Sequence, residues 1–163
     1  MIRASTADGP PATARRSRTP LALTLQVATR SRAVPSLVRL KRWARAALAQ
    51  PAQVTVRIVG ESEGESLNRT FRRKPHATNV LTFRYGEGTD LAGDIVLCAP
   101  LIAREARAQR KSLDAHYAHL TVHGLLHLQG HDHERVREAR IMEAMEVAIM
   151  QRLGFPDPYA MDD

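Results

Sequence analysis

Residues 113–133 read LDAHYAHLTVHGLLHLQGHDH, a run in which apolar side chains recur three and four positions apart as far as Leu128 and then give way to a glycine. That spacing lines up on one side of an α-helix, so a central helix over 113–128 is expected. Six of the seven histidines of the chain fall between 116 and 133, a clustering that calls for a reason. His123 and His127 are four apart, which on a helix stacks their side chains with Cβ atoms about 5–6 Å apart, within reach of one cation. Gly130 tolerates left-handed backbone angles, so the helix can stop there and the chain can return to bring His133 to the same ion. His119 would stand roughly 12 Å from His127 along the axis, too far for both to ligate one ion at ~2.1 Å. It is expected beside the site or in the core.

Working outward, Leu21, Leu23, Leu25 and Val27 alternate as a half-buried strand would, and Val54, Val56 and Ile58 do the same. Between them, Pro35 and Ser36 stand where a helix can begin, with Leu37, Leu40, Ala44 and Leu48 at helical spacing. A short helix is expected over 61–72, strands over 78–83 (TNVLTF) and 94–98 (DIVLC) with a glycine-rich turn between them, and helices over 100–110 and 134–153. In the last of these, Ile141, Met145, Ile149 and Leu153 mark the apolar stripe. Strands early and helices late argue for an α+β domain: a small mixed four-stranded sheet packed with about five helices, the metal site at the end of the central one. Residues 1–19, with four arginines, one Asp and no apolar period, read as a basic disordered tail, and 20–160 as a single domain.

The chain of 163 residues carries 24 Lys+Arg against 17 Asp+Glu, a net charge of +7 that favours a polyanionic partner. A single cysteine, Cys98, excludes an internal disulfide or a Cys-rich zinc cage and suits a reducing cytoplasm; it reads as a core residue. Arg15, Arg16 and Arg18 ahead of LALTLQVA loosely resemble a twin-arginine signal, but Thr24, Gln26 and the period-two alternation read as a strand instead. No run approaches the ~18 apolar residues of a membrane span. A soluble cytoplasmic protein without a membrane partner is expected.

Three imidazoles without a thiolate point to one Zn²⁺ ion per chain and also suit other divalent transition metals, and three protein ligands generally leave one coordination position for water. Zinc lowers the pKa of such water to about 7, which makes hydrolysis the natural reaction class. The spacing His123, His127, Gly130, His133 is similar to the metzincin protease pattern H-E-x-x-H-x-x-G-x-x-H except at its second place, which holds Gly124. A protease would lack its carboxylate base there. Phosphodiester cleavage leans more on the metal and on a cation that stabilises charge at the phosphoryl oxygens.

The segment HGLLHLQGHDH at 123–133 resembles the YbeY family signature H-G-x-L-H-L-x-G-Y-D-H. LNRTFRRKPHATNVLTF at 67–83 is similar to the family's L-N-x-x-Y-R-x-K-D-x-P-T-N-V-L-S-F, and GDIVLC at 93–98 and GFPDPY at 154–159 are similar to its segments too. The resemblance implies a single-strand-specific, metal-dependent endoribonuclease in rRNA processing, small-subunit rRNA end maturation and ribosome biogenesis, with rRNA and the small ribosomal subunit as partners. It places the ligands at His123, His127 and His133 and the functional arginine at Arg72, whose planar fork suits phosphate oxygens. Asp132 is open to two roles, orienting a ligand imidazole or moving a proton, the first being favoured. His131 replaces the family's Tyr and stands two residues from His133, open to competing for the metal or shuttling a proton.

Phe71, Pro75, Ala77 and Arg84 also depart from the family pattern and alter the substrate-side loop. Arg73 and Lys74 are further candidates to meet RNA, as are Arg39 and Arg42 of the 37–48 helix, for which a solvated face is the alternative. Two rival functions remain: a noncatalytic ribosome-assembly factor with a structural metal, and a metal-dependent hydrolase of another substrate.

Overall fold

The computed structural model describes residues 20–86 and 90–160; the tail expected at 1–19 and part of the glycine-rich turn lie outside the described residues. The elements are β1 (Leu21–Ala28), α1 (Leu37–Ala47), β2 (Ala52–Val59), α2 (Glu61–Arg72), β3 (Val80–Arg84), β4 (Leu91–Cys98), α3 (Ala99–Ala108), α4 (Leu113–Leu128) and α5 (Val136–Arg152). The strands form one mixed sheet in the order β1-β2-β4-β3, parallel except for the antiparallel β3–β4 pair. This is the α+β architecture expected.

Side-chain alternation along β4 divides the interior in two. Ile95 and Leu97 join Val54, Val56 and Ile58 in the main core, which α1, α3, α4 and α5 complete with Leu40, Trp43, Ile102, Leu125, Met142 and Met150. Val96 and Cys98 face the other way and join Val59 and Leu81 in a smaller core under Leu67 of α2. Each such fully buried side chain contributes ~1.5–3 kcal/mol.

Helix α4 lies deepest. It starts on Ser112, whose Oγ accepts the Ala115 N–H at 3.1 Å, and it buries Leu120, Val122, Leu125, Leu126 and Leu128. Gly124 faces the sheet: a Cβ there would stand 3.3 Å from both Ile95 Cδ1 and Thr82 Cγ2. The helix backbone therefore rests against β3 and β4, where even a methyl group would press on Ile95 and Thr82. The second place of the metzincin-like pattern is occupied by packing.

The helix ends as expected at Gly130, where φ is +97°. Gly130 N–H donates to the His127 carbonyl at 3.0 Å and His131 N–H to the Leu126 carbonyl at 3.1 Å, the paired bonds of a Schellman turn. Gln129 braces this end against α1, its Nε2 donating to the Ala47 carbonyl at 2.8 Å and its Oε1 accepting from Ala49 N–H at 2.9 Å.

Several boundaries differ from the sequence reading. β3 covers Val80–Arg84 instead of 78–83, although the Asn79 carbonyl still accepts from Cys98 N–H at 3.0 Å; the Asn79 side chain donates to Glu105 Oε2 at 3.1 Å. α3 covers Ala99–Ala108 instead of 100–110, and Arg110 turns left-handed at φ 53°. α5 starts at Val136 and not at 134, since Asp132 Oδ1 accepts the N–H groups of His133 (2.7 Å) and Glu134 (3.3 Å) and holds a turn there. Its buried face is Met142, Glu146, Ile149 and Met150, and Ile141 is 50% exposed. Of the expected stripe, Ile149 and Leu153 are buried and Met145 packs against the core; Ile141 is not, and the buried face widens to Met142 and Met150 with the carboxylate of Glu146 between them.

The close approach at Gly124 gives a stability prediction. Gly124→Leu, which forces a branched side chain between α4 and the sheet, lowers the unfolding free energy in urea by on the order of 3 kcal/mol.

Candidate metal centre

The C-terminal half of α4 and the turn behind Gly130 bring His123, His127 and His133 to one cavity of about 160 Å³, with Arg72 from the end of α2 and Thr78, Asn79, Val80 and Thr82 from the β3 edge as its other wall. The His133 ring centroid lies 5.5 Å from that of His123 and 6.0 Å from that of His127. Three imidazoles sharing one tetrahedral ion at ~2.1 Å would hold their centroids roughly 5 Å apart. The rings are close to that spacing.

Hydrogen bonds behind the rings decide which nitrogens face inward. His123 Nδ1 lies 2.5 Å from Glu146 Oε1 and His127 Nδ1 lies 3.0 Å from the His131 carbonyl oxygen. Both partners accept only, so each Nδ1 carries the proton and each Nε2 keeps its lone pair. Two rings thus hold one tautomer, the form in which imidazole binds a metal; ligand atoms within 4.8 Å of one another are found for His127, Asp132 and His133, with His123 lining the same cavity from its other side.

Glu146 was not singled out by the sequence reading. Its side chain has no exposed surface, and it accepts from His123, from His119 Nε2 at 2.9 Å and from the Tyr159 hydroxyl. Burial pushes its carboxyl up, but the donors His119, His123 and Tyr159 outweigh burial and bring it down to about 2. His119, Tyr159 and His123 also meet edge to face, at centroid distances of 5.3 and 6.3 Å from the His119 ring. His119, His123 and Glu146 are themselves close enough to hold an ion, but hydrogen bonds already occupy both carboxylate oxygens. The open cavity lies on the far side of His123. The signal for Glu146 was a lone acid four residues after Met142 and four before Met150; for Tyr159 it was only the segment GFPDPY.

The other expected residues fall as follows. Asp132 does not meet an imidazole Nδ1; its Oδ1 caps the turn at His133 and Glu134, and those backbone donors, His133 first, hold its carboxyl below the usual range. A carboxylate oxygen of Asp132 nevertheless lies within 4.8 Å of ring nitrogens of His127 and His133. His131 contributes its backbone carbonyl, and its side chain does not line the cavity. Arg39 and Arg42 are not brought to the site: Arg39 pairs with Asp114 at the opposite end of α4 (2.9 Å), and Arg42 donates to the Leu153 carbonyl (3.0 Å). Lys74 lines a neighbouring cavity that shares Arg72, and Arg73 caps α2 beside it.

The YbeY family model, described as endoribonuclease YbeY, matches residues 27–154. The chain belongs to the YbeY endoribonuclease family. A protein of Nitrosomonas europaea named endoribonuclease YbeY is 54% identical over 141 residues, covering 86% of either chain. One of the same name from Aromatoleum aromaticum is 56% identical over 144 residues, covering 86% of this chain and 93% of that one. The fold is also similar to the solution structure of a Thermotoga maritima protein at 21% identity, with a TM-score of 0.51 over 84% of this chain and 99% of that one. In this YbeY family member the cavity joins the two most characteristic segments, the histidine signature and the LNRTFRRKPHATNVLTF block.

The carboxylate behind His123 carries the next prediction. Its folded-state pKa lies below the ordinary 4.5, so its contribution to stability is complete above that pH and is lost as pH falls toward 2. Urea unfolding of the metal-free protein is expected to lose on the order of 3 kcal/mol across that window through this group, and Glu146→Gln to lack that loss. Chelator competition should show Glu146→Gln binding Zn²⁺ roughly 10–100-fold more weakly.

Proposed function

We propose that the chain is a zinc-dependent endoribonuclease acting on single-stranded RNA, taking part in rRNA processing and ribosome biogenesis in the cytoplasm, with the small ribosomal subunit as its partner. The observation that carries this reading is the shared cavity: an arginine without an ion-pair partner among the described residues faces three convergent imidazoles. Its family relatives bear the name endoribonuclease, and no helix of the described residues is long and apolar enough to cross a membrane.

His123, His127 and His133 would hold the ion, which when bound supplies a Lewis acid for a phosphoryl oxygen and acidifies water at neutral pH. Arg72 then positions the scissile phosphate and stabilises the charge that builds on its oxygens, through two parallel N–H donors. Glu146 and the His131 carbonyl keep the ligand rings turned inward, so little reorganisation is needed when substrate arrives. Thr78, Asn79 and Thr82 add neutral hydrogen-bonding groups along the β3 edge, where a strand can lie against the cavity. Gly124 leaves no carboxylate at the place a peptide-hydrolysing base would occupy, which favours phosphodiester over peptide cleavage.

One observation favours a second reading, a noncatalytic assembly factor with a structural metal: Asp132 is near enough to His127 and His133 to complete a closed coordination sphere. Metal-loaded protein that binds RNA and leaves it intact would establish that alternative.

The test uses purified protein with single-stranded RNA, duplex RNA and a peptide library, each with and without chelator. Single-stranded RNA alone should be cut, and chelator should stop it. His127→Ala should lose zinc and cleavage together. Arg72→Glu should keep zinc by elemental analysis while cleavage falls by a factor of about 10²–10³. Peptide cleavage, or zinc loss in Arg72→Glu, would overturn the assignment.

A further inference from the structure

Two aromatic rings meet on the outside of the sheet, where α2 ends against β3. Phe71, in the last turn of α2, packs edge to face on Phe83 with ring centroids 4.9 Å apart and an interplanar angle of 68°. Phe83 is itself partly buried against the smaller core, so it forms a floor on which Phe71 lies 60% exposed. Tyr85, two residues on along the same face of the strand, is 54% exposed and donates its hydroxyl to Asp94. The fold uses little of the Phe71 ring, and an open aromatic strip rimmed by polar groups marks a surface that meets a partner.

Strand alternation fixes where this strip lies. Val80 and Thr82 line the metal-facing cavity, and Leu81 and Phe83 turn to the opposite face of β3, the edge strand of the sheet. Arg72 follows Phe71 directly, yet it lines the cavity with the histidines. The end of α2 thus sits astride the strand edge, with the guanidinium on the metal side and the ring on the far side. The backbone holds both in place: Arg73 turns left-handed at φ 56°, its N–H donates to the Arg69 carbonyl at 3.1 Å, and the Lys74 N–H donates to the Asn68 carbonyl at 3.4 Å. A ring fixed before binding loses little freedom when a partner lands on it.

Charge indicates the partner. Arg57, Arg69 and Arg104 are each paired with a glutamate, whereas no ion pair engages Arg72, Arg73, Lys74 or Arg84 among the described residues. These four flank Phe71 and Phe83 directly in sequence, and Asp94, the acid beside them on β4, is engaged by Tyr85. Unpaired cations around an open aromatic ring suit a polyanion that carries flat apolar faces: phosphates meet the cations and an unpaired base covers the ring. A duplex keeps its bases inside the stack and presents none.

We propose that Phe71, backed by Phe83, is a stacking platform for an unpaired nucleobase of the RNA strand whose phosphate meets Arg72. The strand crosses the β3 edge, with the scissile phosphate in the metal-facing cavity and a neighbouring base on the far side. The platform favours single strands, because a paired base must first leave its own stack to reach the ring. The inference rests on the reading that the substrate is RNA and that Arg72 meets its phosphate.

The test uses the full chain, kept metal-free by chelator so that strands stay intact, and short oligoribonucleotides in which a single abasic residue is moved along the strand. Binding is read by fluorescence anisotropy. Loss of the base at one position should weaken binding about tenfold. Phe71→Leu should bind the intact strand about tenfold more weakly and lose that abasic penalty, whereas Phe71→Trp should keep it. 2-Aminopurine at the same position should be quenched on binding the wild type and not on binding Phe71→Leu. Lys74→Ala should weaken every strand and lower the salt slope by about one, with the abasic penalty unchanged.

No abasic penalty at any position, or an equal penalty in the wild type and Phe71→Leu, would overturn the platform. So would attachment to phosphatidylglycerol vesicles that needs Phe71 while RNA binding does not. The two readings fail separately. RNA bound with a Phe71-dependent penalty but never cut by the zinc-loaded protein removes the nuclease reading alone; RNA cut, with a flat abasic scan, removes the platform alone. A wild-type protein that binds no RNA removes both.

Discussion

Where α4, α5 and the last described residues meet, a carboxylate with no exposed surface accepts hydrogen bonds from two histidines and a tyrosine. A charge in such a place is tolerated only when its donors are in position, so the group constrains three chain segments at once. Helix α5 must turn Glu146 inward, α4 must present His119 and His123 on one face, and the segment after α5 must return to deliver Tyr159. The side of His123 that points away from Glu146 is then the only one left for a ligand. The geometry of the cavity follows from satisfying a buried acid.

The second constraint is steric. Gly124 lets the α4 backbone settle against Ile95 and Thr82, which places His123 and His127 beside the edge strand instead of in open solvent. Opposite them, the end of α2 carries Arg72 to the same cavity. Neither half forms a site alone, since the histidines come from a helix of the main core and the arginine from the helix covering the smaller one.

Much of this was legible from residue order. The α4 helix, its glycine stop and the turn that carries His133 follow from spacing and from the backbone freedom of Gly130, both local properties. The strands were legible because apolar residues alternate along β1 and β2 and β-forming residues run together in β3 and β4. Glu146 was not, because an apolar period read through Ile141, Met145, Ile149 and Leu153 has no place for an acid. That a carboxylate is buried beside that stripe depends on the donors waiting on α4 and at Tyr159, a tertiary fact. Arg39 and Arg42 lie away from the cavity, and a basic helix face does not reveal that Asp114 and the Leu153 carbonyl stand opposite them.

The smaller core has a consequence for handling the protein. Cys98 lies 1% exposed beneath α2, and burial raises its thiol pKa. Thiolate is the species that reacts with alkylating reagents, so the folded molecule protects its one sulfhydryl both by occlusion and by protonation. Maleimide labelling then becomes a native reporter: its rate measures how often the α2 side of the sheet opens, with no engineered probe and no signal from other thiols.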